Sequence, residues 1–238
     1  MTNKTIHSIL FFLVLNLFTA AFAQQVPVKN WDFEKIKGTR FLPYPSYTGF
    51  PFLTDTWVPG KIELKDGVVI DSLNLRYSSF KDELVYYNPT ISSQIVIDKI
   101  SLNSFSYTDN EGNIHIFRKQ YYDNFGKGDR FFEVLSDGET KLLAYRKVIL
   151  ETTQPYKEEK GILKNMMYGL DYSYYFYSPQ NGYTSVRMNK MALLSKFDKV
   201  SQKAIKKLLR KHGIRVSDQG SFTMAWKVIE QEGYKVVF

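Results

Sequence analysis

Histidine is the side chain best suited to proton transfer near neutral pH, and the 238-residue chain holds three of them, His7, His115 and His212. His7 falls in an apolar leader, so two remain for chemistry. A serine–histidine–acid site would have to use one of these. His115 follows the turn Asp109-Asn110-Glu111-Gly112-Asn113 directly, and its plain reading is an exposed or hydrogen-bonded strand histidine. His212 sits where a helix should end, and a partly charged imidazole suits the negative end of the helix dipole. Cysteine is absent, which removes disulfides, thiol nucleophiles, thiolate metal ligands and a lipobox. Two separated histidines without cysteine make no zinc site, and no cofactor is expected. Close carboxylates occur at Asp82 and Glu83, Asp109 and Glu111, and Glu158 and Glu159. A glycoside hydrolase needs two acids facing one cleft, whereas these pairs fall in turns or polar loops, so no catalytic residue is assigned. Gly126-Lys127-Gly128 lacks the strand and helix that a phosphate-binding loop requires.

Two surfaces suit binding better than catalysis. In the run Met166–Tyr177, alternation places Tyr172, Tyr174 and Phe176 on one strand face and Tyr175 and Tyr177 on the other. The first three are candidates for stacking on a glycan or small apolar ligand, and cross-strand aromatic pairing in an ordinary sheet gives the same pattern. The second surface is cationic. Lys199, Lys203, Lys206, Lys207, Arg210 and Lys211 share one side of a predicted helix with no acid among them, against a formal net charge of +8 for the whole chain. Their expected partner is an anionic lipid or polysaccharide surface. Nucleic acid is not expected, because the chain looks exported and carries no nucleic-acid-binding motif.

The elements that must position these residues read as β-strands first and helices last. Ile62 and Leu64 alternate with charge, Lys65-Asp66-Gly67 makes a turn, and Val68, Ile70, Leu73, Leu75 and Tyr77 resume the apolar series. Further strands are expected at Leu84–Tyr87, Gln94–Ile97, Leu102–Tyr107, Ile114–Lys119, Arg130–Leu135 and Thr140–Leu150, with Thr152–Ile162 as a polar loop or edge excursion. No helical pattern intervenes, which argues against parallel βαβ units. The fold class expected is mainly β: an antiparallel up-and-down meander curled into a partial or closed barrel, with a small C-terminal helical cap. Phe41–Phe52, with Pro43, Pro45 and Pro51 among its rings, is expected to be an extended lid over the end of that sheet or a loop that binds peptide or glycan. The helical stretch should be capped by Asp198, carry Val200, Ala204, Ile205, Leu208 and Leu209 as its stripe, and stop at Gly213. A second helix starts near Asp218 and stops at Gly233.

The N-terminus reads as a secretory leader: Lys4, the apolar stretch Ile9–Ala23, and Ala21-Phe22-Ala23 as a cleavage site before Gln24. The expected organisation is residues 1–23 as signal peptide, 24–189 as the antiparallel β domain and 190–238 as the helical segment. Lys4 is the only charge in the leader, so the exported remainder would keep +7 of the +8. Localisation is then exported, periplasmic or outer-membrane associated. Tyr234, Val236 and Phe238 alternate like the terminal strand of an outer-membrane barrel, but Glu230, Glu232 and the preceding helices interrupt that pattern.

Gly49-Phe50-Pro51-Phe52-Leu53, the run Trp57–Asn88, Phe131-Phe132-Glu133-Val134-Leu135, Tyr145-Arg146-Lys147 and Leu194–Asp198 together resemble a group of uncharacterised, exported β-rich proteins of Bacteroidota-type bacteria. The resemblance implies export and β architecture and carries no assigned activity. The functional expectation is an exported, non-catalytic cell-envelope protein that binds or scaffolds. The alternatives are a lipocalin-like carrier of a small apolar ligand, a carbohydrate-active hydrolase and an outer-membrane β-barrel.

Overall fold

The computed structural model describes residues 35–122, 128–157 and 163–238. The expected leader, Trp31 and Phe33, most of the turn at 124–129, and Glu158 and Glu159 lie outside them. Eleven antiparallel strands form one sheet: β1 (Gly38–Arg40), β2 (Val58–Leu64), β3 (Val69–Ser78), β4 (Glu83–Asn88), β5 (Ser93–Ile97), β6 (Leu102–Thr108), β7 (Ile114–Tyr122), β8 (Gly128–Ser136), β9 (Lys141–Lys157), β10 (Leu163–Ser178) and β11 (Gly182–Val186). Their spatial order is β1-β5-β4-β3-β2-β6-β7-β8-β9-β10-β11, so the barrel is not closed by backbone pairing.

The β2–β3 hairpin forms as its sequence dictates. Gly67 takes φ +86°, which suits glycine, and the Leu64 N–H donates to the Val68 carbonyl at 2.8 Å. The step from Ile70 to Leu73 breaks strict alternation because Ser72 is held at φ +59° in a bulge. Gly60 then opposes Leu73 while Ile62 opposes Ile70, and both apolar residues reach the buried face.

The order departs from a simple up-and-down meander at two places: β1 pairs with β5 rather than β2, and β6 pairs with β2 rather than β5. Strands β2 to β5 run outward, then β6 returns to the free edge of β2. Four strand spacings separate β5 from β6, about 19 Å in a flat sheet. The link between them is only Asp98–Ser101, and it closes on itself by a bond from the Ser101 N–H to the Asp98 carbonyl at 3.1 Å. The sheet therefore has to roll. Side chains report the same roll: Tyr77 of β3 lies 6.1 Å from Phe131 of β8, ring to ring, and the Phe131 N–H donates to Asp82 in the β3–β4 turn at 3.4 Å. Phe105 stacks on Phe117 at 4.7 Å between them. These buried rings fill the concave side.

Of the polar segment Thr152–Ile162, expected as a loop or edge excursion, Thr152–Lys157 is strand and 158–162 lie outside the described residues. Thr152 pairs with Met166 and Lys157 with Leu163, so β9 and β10 form one long hairpin whose ladder supplies backbone bonds whatever the side-chain polarity. The proline-rich lead-in is an extended strap across the rolled end of the sheet. Phe41 donates to the Gln94 carbonyl at 2.9 Å, the Thr48 carbonyl accepts from Tyr168 at 2.8 Å, and Leu53 donates to the Tyr77 carbonyl at 3.0 Å. Its rings pack on one another and on Phe80.

Three helices follow: α1 (Lys190–Leu194), α2 (Lys199–Lys211) and α3 (Gln219–Gln231). The Asp198 carboxylate caps α2 by accepting from the Val200 and Ser201 N–H groups, and Asp218 forms a capping box with Ser221 at α3. Gly213 at φ +65° and Gly233 at φ +80° follow the two ends. Ile205 and Leu209 of α2 and Phe222, Trp226 and Ile229 of α3 pack on Leu142, Phe176 and Val186 of the sheet. Val200 is the exception in the expected stripe: it is 80% exposed. Among the described residues no helix is long and apolar enough to cross a membrane.

Candidate functional site

Register brings one polar ladder onto the otherwise apolar concave face. Tyr107 of β6 opposes His115 of β7, Phe117 opposes Glu133 of β8, Glu133 opposes Ala144 of β9, and Arg146 opposes Tyr172 of β10. His115, Glu133 and Arg146 are therefore diagonal neighbours across three strands. His115 Nδ1 lies 2.6 Å from Glu133 Oε1 and its Nε2 lies 3.0 Å from Asp109 Oδ2. Arg146 Nε donates to Glu133 Oε2 at 2.5 Å, and its Nη2 donates to Gln219 Oε1 at 2.7 Å. Gln219 also accepts from the Tyr174 hydroxyl at 3.2 Å, which ties the start of α3 to the sheet.

The electrostatics follow from those contacts. The hydrogen bond to Glu133 raises His115 above its ordinary pKa, against the downward pull of burial and with help from Asp109. Burial pushes Glu133 up, but the His115 hydrogen bond and the Arg146 charge hold it below the usual carboxylate range. The Asp109 carboxyl is held low by its hydrogen bonds to His115 and Asn113. Both imidazole nitrogens are engaged, and both acids are spent on the same ring. A hydrolytic pair would instead face each other across a cleft, so this arrangement acts as a clamp between sheet and helix. Asp82 is likewise spent within the fold, accepting from the Tyr77 hydroxyl at 2.5 Å and from Lys99.

Sequence reasoning found His115 as a hydrogen-bonded strand residue but missed Glu133, Arg146 and Gln219. The available signal was an acid within Phe131–Leu135 and a guanidinium within Leu142–Leu150, each at an inward phase of an apolar strand.

Tyr172, Tyr174 and Phe176 do share one face, but they do not form a common ligand surface. Phe176 is 0% exposed, with Trp226 at 4.6 Å and Phe222 at 6.2 Å, and is corrected from ligand contact to core. Tyr174 is spent on Gln219. Tyr172 stays 37% exposed, with the Arg146 guanidinium 4.6 Å from its ring. On the opposite sheet face, Tyr122, Phe132, Tyr145 and Tyr175 pack together as a second core.

The basic side of α2 is where the chain keeps unspent chemistry. Lys199, Lys203, Lys206, Lys207, Arg210 and Lys211 are all exposed, while Ile205 and Leu209 on the opposite side are fully buried. Among the described residues none of the six is paired with an acid. At 100° per residue, Val200 falls between Lys207 and Lys211 around the helix, an exposed apolar side chain inside the cationic arc. No group of three or more histidines, cysteines or acids among the described residues could hold a metal ion. Comparison with protein-family models, curated proteins and solved structures returned no match.

Proposed function

We propose that this chain is an exported, non-catalytic cell-envelope protein that docks through the basic face of α2 on an anionic envelope surface. The observation that carries the reading is six exposed cations that pair with no acid among the described residues, on a helix whose other side is anchored in the core. The leader-like N-terminus and the resemblance to exported β-rich proteins supply the compartment. Phosphate-bearing lipid headgroups and acidic polysaccharide offer the same charge chemistry, and Val200 separates them, because only a bilayer rewards insertion of an apolar side chain. An apolar carrier would need the space that Tyr77, Phe105, Phe117 and Phe131 occupy.

The test is co-sedimentation of the mature chain with vesicles containing phosphatidylglycerol, and retention on immobilised alginate, at rising salt. Each cation near such a membrane contributes about 1 kcal/mol, so replacing Lys203, Lys206, Lys207 and Arg210 by Gln removes about 4 kcal/mol and should weaken binding about a thousandfold. Val200→Ser should weaken vesicle binding alone. Binding indifferent to salt and to the four substitutions would overturn the proposal.

A further inference from the structure

We infer a second binding site, separate from α2: a recess in the outer edge of β10 that accepts one extended, acid-ended peptide as an added strand. On its outer side β10 is covered in two places. Thr48 of the strap bridges Met167, and β11 pairs with β10 from Tyr174 to Ser178. Between them, no strand among the described residues lies beside Gly169–Ser173. The Tyr168 N–H points to Thr48, so by strand alternation the N–H and C=O groups of Leu170 and Tyr172 also point out of this edge. The tract is five residues long, about 17 Å at the usual strand rise.

Three features restrict the occupant. The recess is set back one strand width behind both the strap and β11, so a second copy's β10 cannot enter without its own neighbours colliding with them. A single extended segment can. Leu170 is 63% exposed and Tyr172 37% exposed beside the open edge, so the body of the peptide should present an apolar or β-branched side chain to them. At the end where β11 stops, a cleft of about 550 Å³ is lined by Tyr172, Ser173, Ser185, Arg187 and Lys196, with no acid among the described residues of its lining. Lys196 Nζ donates to Thr184 Oγ1 at 2.9 Å, and the exposed Arg187 side chain makes no ion pair with an acid among the described residues. A carboxylate leaving the lane there meets two cations.

The experiment pans a displayed library of random heptapeptides against the mature chain and titrates the selected peptides by fluorescence anisotropy. Selected sequences should alternate β-branched or aromatic residues and carry acids at one end. Binding should slow hydrogen exchange at the Leu170 and Tyr172 amides. It should weaken about tenfold when Arg187 and Lys196 become Gln, and by at least as much when alternate peptide amides are N-methylated. It should survive the four α2 substitutions, which separates it from the surface-docking reading. The inference is overturned if no acidic peptide is selected, if those two amides are already protected in the free protein or stay unprotected on binding, or if alginate trimers displace the peptides.

Discussion

Replacing Arg146 by Met tests the clamp that joins the sheet to the helical cap. The Arg146 and Glu133 side chains are 9% and 6% exposed, so their charges meet with little water to screen them. Breaking a buried pair from one side costs about 3–5 kcal/mol, because the remaining charge is stranded. Glu133 would keep His115 on its other oxygen, which places the loss near the lower figure. The lost contact with Gln219 adds about 1 kcal/mol. With a urea m-value of about 3 kcal/mol/M for a chain this long, the unfolding midpoint of Arg146→Met should fall by about 1–1.5 M. The double variant Arg146→Met with Glu133→Leu removes both charges and should recover most of that loss. A single variant within about 1 kcal/mol of the parent, or a double variant as unstable as the single, would refute the view that a stranded carboxylate is what destabilises the sheet.

The same network fixes two pH responses. His115 has its folded pKa raised above the ordinary 6.5, so its contribution is fully present below that value and is lost as pH rises through the folded pKa. Denaturant midpoints should therefore fall across that alkaline limb, and His115→Gln should flatten it; an unchanged limb in that variant would place the titration elsewhere. Glu133 has its pKa lowered, so its contribution is present above about 4.5 and is lost as pH falls through the lower folded value. Gly60→Ala addresses the central seam, since a Cβ there would run into the Ser106 carbonyl oxygen and lie 2.7 Å from Leu75 Cδ1. A backbone neighbour cannot swing aside, and the variant should lose about 2–3 kcal/mol in urea unfolding; a neutral result would mean that β2 and β6 do not approach as described.

Much of the fold was legible because its signals are local. The turn Lys65-Asp66-Gly67, the caps Asp198 and Asp218 and the stops Gly213 and Gly233 each satisfy nearby backbone groups. Short-range geometry alone requires those residue types. Less of the candidate site was legible. The cationic face of α2 could be read because helical periodicity gathers its residues without help from the rest of the chain. The clamp could not, because Asp109, His115, Glu133, Arg146 and Gln219 meet only through the registers of β7, β8 and β9 and the docking of α3.

The sequence by itself determined that the described chain is antiparallel β followed by capped helices, and that its positive charge is concentrated on one helix side. Alternation, turn residues and caps act over a few positions, so they survive without tertiary context. Only the tertiary structure decided that β6 returns to β2, that Phe176 is core while Tyr172 stays exposed, and that polar Thr152–Lys157 is strand. Each of these depends on which distant strand offers its edge, and an edge accepts a partner through backbone bonds that carry no record of side-chain identity.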